Sequence, residues 1–214
     1  FPKNLMNDNI KKLSFFDNFS NLNEKSTVLD IGANIGDITN IIFEKYKCNI
    51  HAYEPNIACY NFMKKRFINN SKIKLHNYAV SNFSGHDYLY FHFNSKGVDD
   101  TRYIQGATLR KEKDNIDVNK KVMVKIIDIK EIINSFNNID LIKIDVEGSE
   151  YKIIPEILNN RNKIKTVICE MHGNPMGKKI NGQHKNKNFT KEYEDLISEL
   201  KKQGLYNNWF YEWH

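Results

Sequence analysis

The sequence predicts an α/β fold, an open and mostly parallel sheet with helices on both faces, and three observations carry that prediction. Short apolar runs alternate with segments of helical spacing along most of the chain. One run, Val28-Leu29-Asp30-Ile31, breaks into Gly32-Ala33-Asn34-Ile35-Gly36-Asp37 before helical spacing begins. The runs repeatedly end in carboxylates, and the carboxyl edge is where such a sheet meets its ligand.

Taken in order, residues 4–20 carry Leu5, Ile10, Leu13, Phe16 and Phe19 as an apolar stripe and predict a helix capping the sheet. Thr27 to Ile31 is the first strand. The turn after it needs backbone that glycine tolerates, and Asn34 stands between Gly32 and Gly36 as the next most tolerant residue. A helix from Gly36 to Tyr46 follows, then a strand from Asn49 to Tyr53. Glu54-Pro55 stops that strand and starts a helix running to about Phe67. Ile73 to Tyr78 is the third strand, and Tyr88 to Phe93 and Val122 to Ile127 read as hairpin arms. The polar stretch 94–121 between the arms reads as a long loop. Ile139 to Asp145 is a buried strand, with Ser149 placed to cap the helix that runs to Leu158. Lys165 to Met171 is the next strand, 173–189 a polar loop, Lys191 to Gln203 a helix stopped by Gly204. The aromatic tail, Leu205 to Trp213, supplies a last strand or hairpin.

Composition fits one domain over residues 1–214, with 40% hydrophobic and 27% charged residues. The net charge of +6 is spread over lysine-rich surface, so nucleic acid is disfavoured as a partner. Cys48, Cys59 and Cys169 lack CxxC spacing and read as reduced core thiols, which points to the cytoplasm. No apolar run approaches the roughly 18 residues of a membrane span. The first residue is Phe, as in a domain taken from a longer, multidomain chain.

The strand ends bring together Asp30, Glu54, Tyr78, Asp145, Glu147, Glu170 and His172. Glu54 follows Gly36 at the distance where a carboxylate accepts both hydroxyls of a ribose. A dinucleotide also needs its diphosphate on the helix N-terminus, where Asp30 and Asp37 crowd the space. S-adenosylmethionine has the ribose without the phosphate and carries positive charge, so the acid-lined edge favours it.

Four ordered motifs, VLDIGANIGDIT, YEPN at 53–56, IKIDVEGSE at 142–150 and ICEMH at 168–172, resemble the FkbM-type S-adenosylmethionine-dependent methyltransferases. That resemblance implies the class I methyltransferase fold, a Rossmann-like three-layer sandwich on a mostly parallel seven-stranded sheet with an antiparallel last strand. It implies O-methyl transfer to a hydroxyl of a carbohydrate or glycoconjugate. By position, Asp30 and the loop with Gly32, Asn34 and Gly36 hold the methionine half of the donor, and Glu54 the ribose. Asn77, Tyr78 and Ala79 lie along the adenine edge, and Asp145 beside the methyl group or the ammonium.

A sugar hydroxyl gains from a general base. Asp145, Glu147, Glu170 and His172 are the candidates. His172 is the first choice among them, because its ordinary pKa lies near working pH. Asp145 ends an apolar strand, where a carboxylate is costly without a ligand or partner, the bland alternative being a salt bridge to Lys143. Glu147 is equally readable as helix-entry chemistry. The same carboxylates with His172 suit a hard divalent cation, although the spacing does not demand one and a metal-free site leads. Lys178, Lys179, Lys185 and Lys187, with Arg102, Arg110 and Lys111, read as solvated loop or as attraction for an acidic acceptor. Trp209, Tyr211 and Trp213 read as core cap or sugar-stacking surface. The competing functions are methylation of RNA or another small metabolite, and a non-catalytic donor-fold scaffold.

Overall fold

Strand β1 (Thr27–Ile31) is the middle of the molecule because its side chains are buried on both faces. Leu29 and Ile31 point into one layer with Ile142 and Ile144, whereas Val28 points into the other with Leu141 and Ile168. Each such side chain contributes about 1.5–3 kcal/mol by leaving water, and a strand supplying both layers has no polar face to spare. The computed structural model describes residues 21–97, 106–173, 179–180, 183–184 and 189–213. The helix expected over 4–20 lies outside them.

Strand β1 is followed by α1 (Asp37–Tyr46), β2 (Asn49–Tyr53), α2 (Ile57–Arg66), β3 (Ile73–His76) and β4 (Ala79–Ser81). Next come β5 (Gly85–His92), β6 (Ile116–Asp128), α3 (Ile129–Asn134), β7 (Leu141–Ile144), α4 (Glu150–Asn159) and β8 (Val167–Glu170). The chain ends with β9 (Lys179–Ile180), β10 (Gln183–His184), α5 (Thr190–Lys202) and β11 (Phe210–Trp213). The main sheet has six strands in the order β11-β8-β7-β1-β2-β3. Every pair in it is parallel.

The α/β sandwich is therefore as expected, but the seven-stranded sheet with an antiparallel last strand is not. Helix α5 runs back across the layer before Gly204 turns the chain, so β11 starts at the same end as β8 and pairs with it in parallel, Phe210 opposite Val167. The two hairpin arms do not join the main sheet. They pair antiparallel as β5 and β6, and with β4 make a second, three-stranded sheet. Strand β6 begins at Ile116, so the loop expected to reach residue 121 is shorter.

Two helix starts also differ from expectation. Asn56, not Pro55, caps α2, accepting the Ala58 N–H at 2.9 Å. Ser149 stands at the N-cap of α4, but its buried hydroxyl makes no capping bond. The three cysteines are free and buried, as expected. Trp209 packs against the core and donates to the Ile164 carbonyl at 2.8 Å, a capping role.

Candidate active site

The turn after β1 crosses directly over the end of β7. Gly32, Asn34 and Gly36 have φ of 76°, 53° and 81°. Gly32 has no alternative, because a Cβ there would stand 1.8 Å from the Asp145 carbonyl oxygen. Asn34 does substitute for a glycine, and its side-chain Oδ1 accepts the Ile35 N–H at 2.7 Å.

Glu54, at the end of β2, pins that turn. One oxygen accepts the Asn34 N–H and the other the Asn56 N–H, both at 2.8 Å. Each carboxylate oxygen retains a lone pair for a ligand hydroxyl. Burial pushes the Glu54 pKa up to about 7, against the pull of those backbone donors. Asn77 is placed beside it, donating to the carbonyls of Glu54 and Pro55 at 2.9 and 3.0 Å. Tyr78 packs half-buried against the main core, while Ala79 opens β4 and is buried in the second sheet's cluster. Strand β3 stops at His76, two residues short of the expected Tyr78, and Ala79 belongs to the second sheet.

Asp30 departs from its expected role. It is 0% exposed, accepts the Thr39 hydroxyl at 2.6 Å and lies 3.1 Å from Lys143 Nζ. It anchors the turn after β1 through Thr39 and through Lys143, which holds the Gly32 carbonyl. Asp37 is likewise paired, with Arg66 at 2.6 Å. The repulsion expected from these two carboxylates is thus largely neutralised within the fold, and the acidity of the edge comes from other groups.

Lys143 links the layers. Its ammonium donates to the Gly32 carbonyl at 2.9 Å and reaches Asp145 Oδ2 at 3.9 Å. Burial works against its charge, but Asp30 and then Asp145 outweigh burial and hold its pKa above the ordinary value. The salt-bridge alternative for Asp145 therefore holds in part. It has a lysine nearby at long range, yet its side chain stays 26% exposed. Burial, then the charge of Glu170 at the end of β8, push Asp145 up to about 7.

The other candidates are tied together. His172 is 6% exposed, with Nε2 3.0 Å from Glu147 and Nδ1 2.6 Å from Glu150. Burial opposes its protonation, but the two carboxylates win and raise its pKa well above the usual range. An imidazolium with both nitrogens engaged cannot accept a proton, so His172 is displaced as the first choice of base. Glu147 is also paired, with Lys113 as well as His172, and their charges overcome burial to hold it well below the carboxylate range. It has φ of 55° in a turn with Gly148, a left-handed conformation that a glutamate adopts only where its surroundings hold it.

Those surroundings include Thr108, which carries no sequence signal, and Arg110, which reads in the sequence as loop charge. In the segment before β6, Thr108 donates to the Glu147 carbonyl at 2.7 Å and Arg110 to the Gly148 carbonyl at 2.9 Å. Arg110 also pairs with Glu192 at 3.0 Å and lies over the Phe189 ring. Arg110 is thus a buried brace, not loop charge. Lys143 was detectable, since a charge inside the apolar run Leu141–Ile144 demands a partner. Arg102, Lys178, Lys185 and Lys187 lie outside the described residues.

The methyltransferase FkbM domain profile matches residues 30–205, most of the chain. The chain belongs to the FkbM methyltransferase family. No curated protein sequence matches it significantly. Among solved structures, the N-terminal domain of human METTL16 aligns over 95% of this chain and 62% of that one, at 15% identity and a TM-score of 0.43. Coclaurine N-methyltransferase bound to N-methylheliamine and SAH aligns over 43% and 40%, at 13% identity and a TM-score of 0.29. The protein spans less than two thirds of the length of either of those chains. No helix among its described residues is long and apolar enough to cross a membrane.

Asp145, Glu147 and His172 place potential metal-ligand atoms within 4.8 Å of one another. Lys113 and the raised His172 already supply positive charge there. The cluster is balanced as a set of ion pairs.

Proposed function

We propose that this methyltransferase uses S-adenosylmethionine to methylate a hydroxyl of a carbohydrate or glycoconjugate, with Asp145 as general base. The observation that carries the reading is the contrast at the sheet edge. Glu147 and His172 are locked in short ion pairs, while Asp145 keeps a partly exposed carboxylate, its nearest cation 3.9 Å away, with burial pushing its pKa up to about 7.

The donor fits the residues present. Glu54, Asp145 and Glu170 add carboxylates at the strand ends beyond the paired Asp30, Glu147 and Glu150, so the edge is acid-rich. Glu54 would hold the ribose hydroxyls, and the turn 32–36 the methionine portion. When bound, the donor supplies an electrophilic methyl group on a positively charged sulfur. Asp145 accepts the acceptor's hydroxyl proton as its oxygen becomes the nucleophile, and the chain holds the two reactants in line. An amine acceptor can present its lone pair unaided; a hydroxyl draws real benefit from a base tuned near 7. That favours oxygen over nitrogen. The carbohydrate class rests on the resemblance of the four sequence motifs to the family.

Calorimetry with S-adenosylmethionine and S-adenosylhomocysteine, followed by mass spectrometry of a sugar panel, tests the reading. A gain of one methyl mass on a sugar, abolished in Asp145→Asn, is expected. Donor binding with transfer only to RNA or to an amine would refute it.

A further inference from the structure

We infer that the outward face of the second sheet, built from β5 and β6, is a docking surface for an acidic glycan, the anionic segment of the acceptor chain. This rests on the carbohydrate reading above.

Antiparallel register puts directly opposed residues on the same face. His86 opposes Lys125, Tyr88 opposes Met123, and Tyr90 opposes Lys121. The intervening positions, Leu89 with Val122 and Val124, turn inward to the sheet's own cluster. The three outward pairs hold no carboxylate. Tyr88 and Met123 are 37% and 57% exposed, and His86, Lys121 and Lys125 are exposed beside them. A face with two lysines, two phenols and no acid is complementary to an anionic partner.

The surface is continuous with the catalytic turn. Tyr90 exchanges two backbone hydrogen bonds with Thr108, at 2.8 and 3.0 Å, and the Thr108 hydroxyl holds the Glu147 carbonyl at 2.7 Å. A chain lying along β5 and β6 thus reaches the edge where Asp145 stands.

The aromatic rings favour sugar over nucleic acid as occupant. The Lys121 ammonium sits 4.3 Å from the Tyr88 ring centre and 6.0 Å from that of Tyr90. It covers a ring face on which a nucleobase would stack. What remains outward is hydroxyl, ammonium and thioether, suited to a hydroxylated ring bearing an anionic group. Lys121 and Lys125 stand about 13 Å apart along the strand, so they meet charges on separate rings of one chain.

The test measures binding of fluorescently labelled oligogalacturonate, a neutral maltooligosaccharide of equal length, and poly(U) RNA to wild type and to the Lys121→Glu/Lys125→Glu double variant. Wild type should bind oligogalacturonate at least tenfold more tightly than the neutral sugar. The double variant should lose that preference while keeping its thermal midpoint and its S-adenosylmethionine affinity. Equal binding by wild type and variant, no binding of oligogalacturonate, or lysine-dependent preference for poly(U) would each overturn the inference. Mass spectrometry of the same mixtures separates the two claims. Lysine-dependent binding with no methylation of any sugar leaves the surface standing and refutes the carbohydrate reading; methylation of neutral sugars without oligogalacturonate binding does the reverse.

Discussion

Replacing Lys143 with Met should expose how much the site depends on one buried charge. Lys143 is 2% exposed and Asp30 0%, with 3.1 Å between the charged atoms, so neither can fall back on water. Methionine keeps most of the side-chain volume and removes the ammonium. Asp30 then retains only the Thr39 hydroxyl as partner, and the Gly32 carbonyl loses its donor. Breaking a buried pair from one side costs about 3–5 kcal/mol, most of it the stranded charge. For a chain of this length that is a fall of roughly 6–20 °C in thermal midpoint. Urea and thermal unfolding of Lys143→Met, Asp30→Asn and the double variant form the assay. The double variant should recover at least half of the Lys143→Met loss, since it no longer buries an unpaired anion. A Lys143→Met protein within about 1 kcal/mol of wild type, or additive losses in the double variant, would refute the reasoning.

Further outcomes follow from the same geometry. Glu54→Ala should weaken S-adenosylmethionine binding by about 1–3 kcal/mol, measured by calorimetry, because a charged acceptor of two hydroxyls is lost; unchanged affinity would displace the ribose from Glu54. Methyl transfer should rise with pH through about 7 and level off above it, as Asp145 loses its proton, and the Asp145→Asn enzyme should lose the step along with about 10²-fold or more in rate. The same Asp145 titration predicts a stability effect of known sign. Its folded pKa lies above the ordinary 3.8, so its contribution favours folding below that value and is lost as pH rises through about 7. Asp145→Asn should therefore unfold at a higher temperature than wild type at pH 8 and show little gain at pH 4. Gly32→Ala should disrupt folding outright, its Cβ falling 1.8 Å from the Asp145 carbonyl, whereas Gly204→Ala, also left-handed at φ 67° but with nothing within 4 Å, should cost only about 1–2 kcal/mol by thermal denaturation.

The amino-acid sequence by itself determined the layered architecture, because Val28–Ile31, Leu141–Ile144 and Val167–Cys169, apart from the single charges Asp30 and Lys143, are apolar at every position and have no face to turn to water. It also determined the loop chemistry at Gly32, Asn34 and Gly36, which is a property of local backbone sterics, and the position of Glu54 at a strand end. The direction of β11 was decided by the return path of α5, a matter of how the layers stack. Only the tertiary structure decided which charges remain available. Asp30, Glu147 and His172 look alike as acidic or basic residues at strand ends, yet Lys143, Lys113 and Glu150 reach them from other segments and occupy them. Lys113 is separated from Glu147 by a whole strand, a helix and another strand, so no local pattern could announce the pair. Propensity and periodicity are set by near neighbours along the chain; protonation is set by neighbours in space, and Asp145 stays partly exposed with Lys143 no nearer than 3.9 Å.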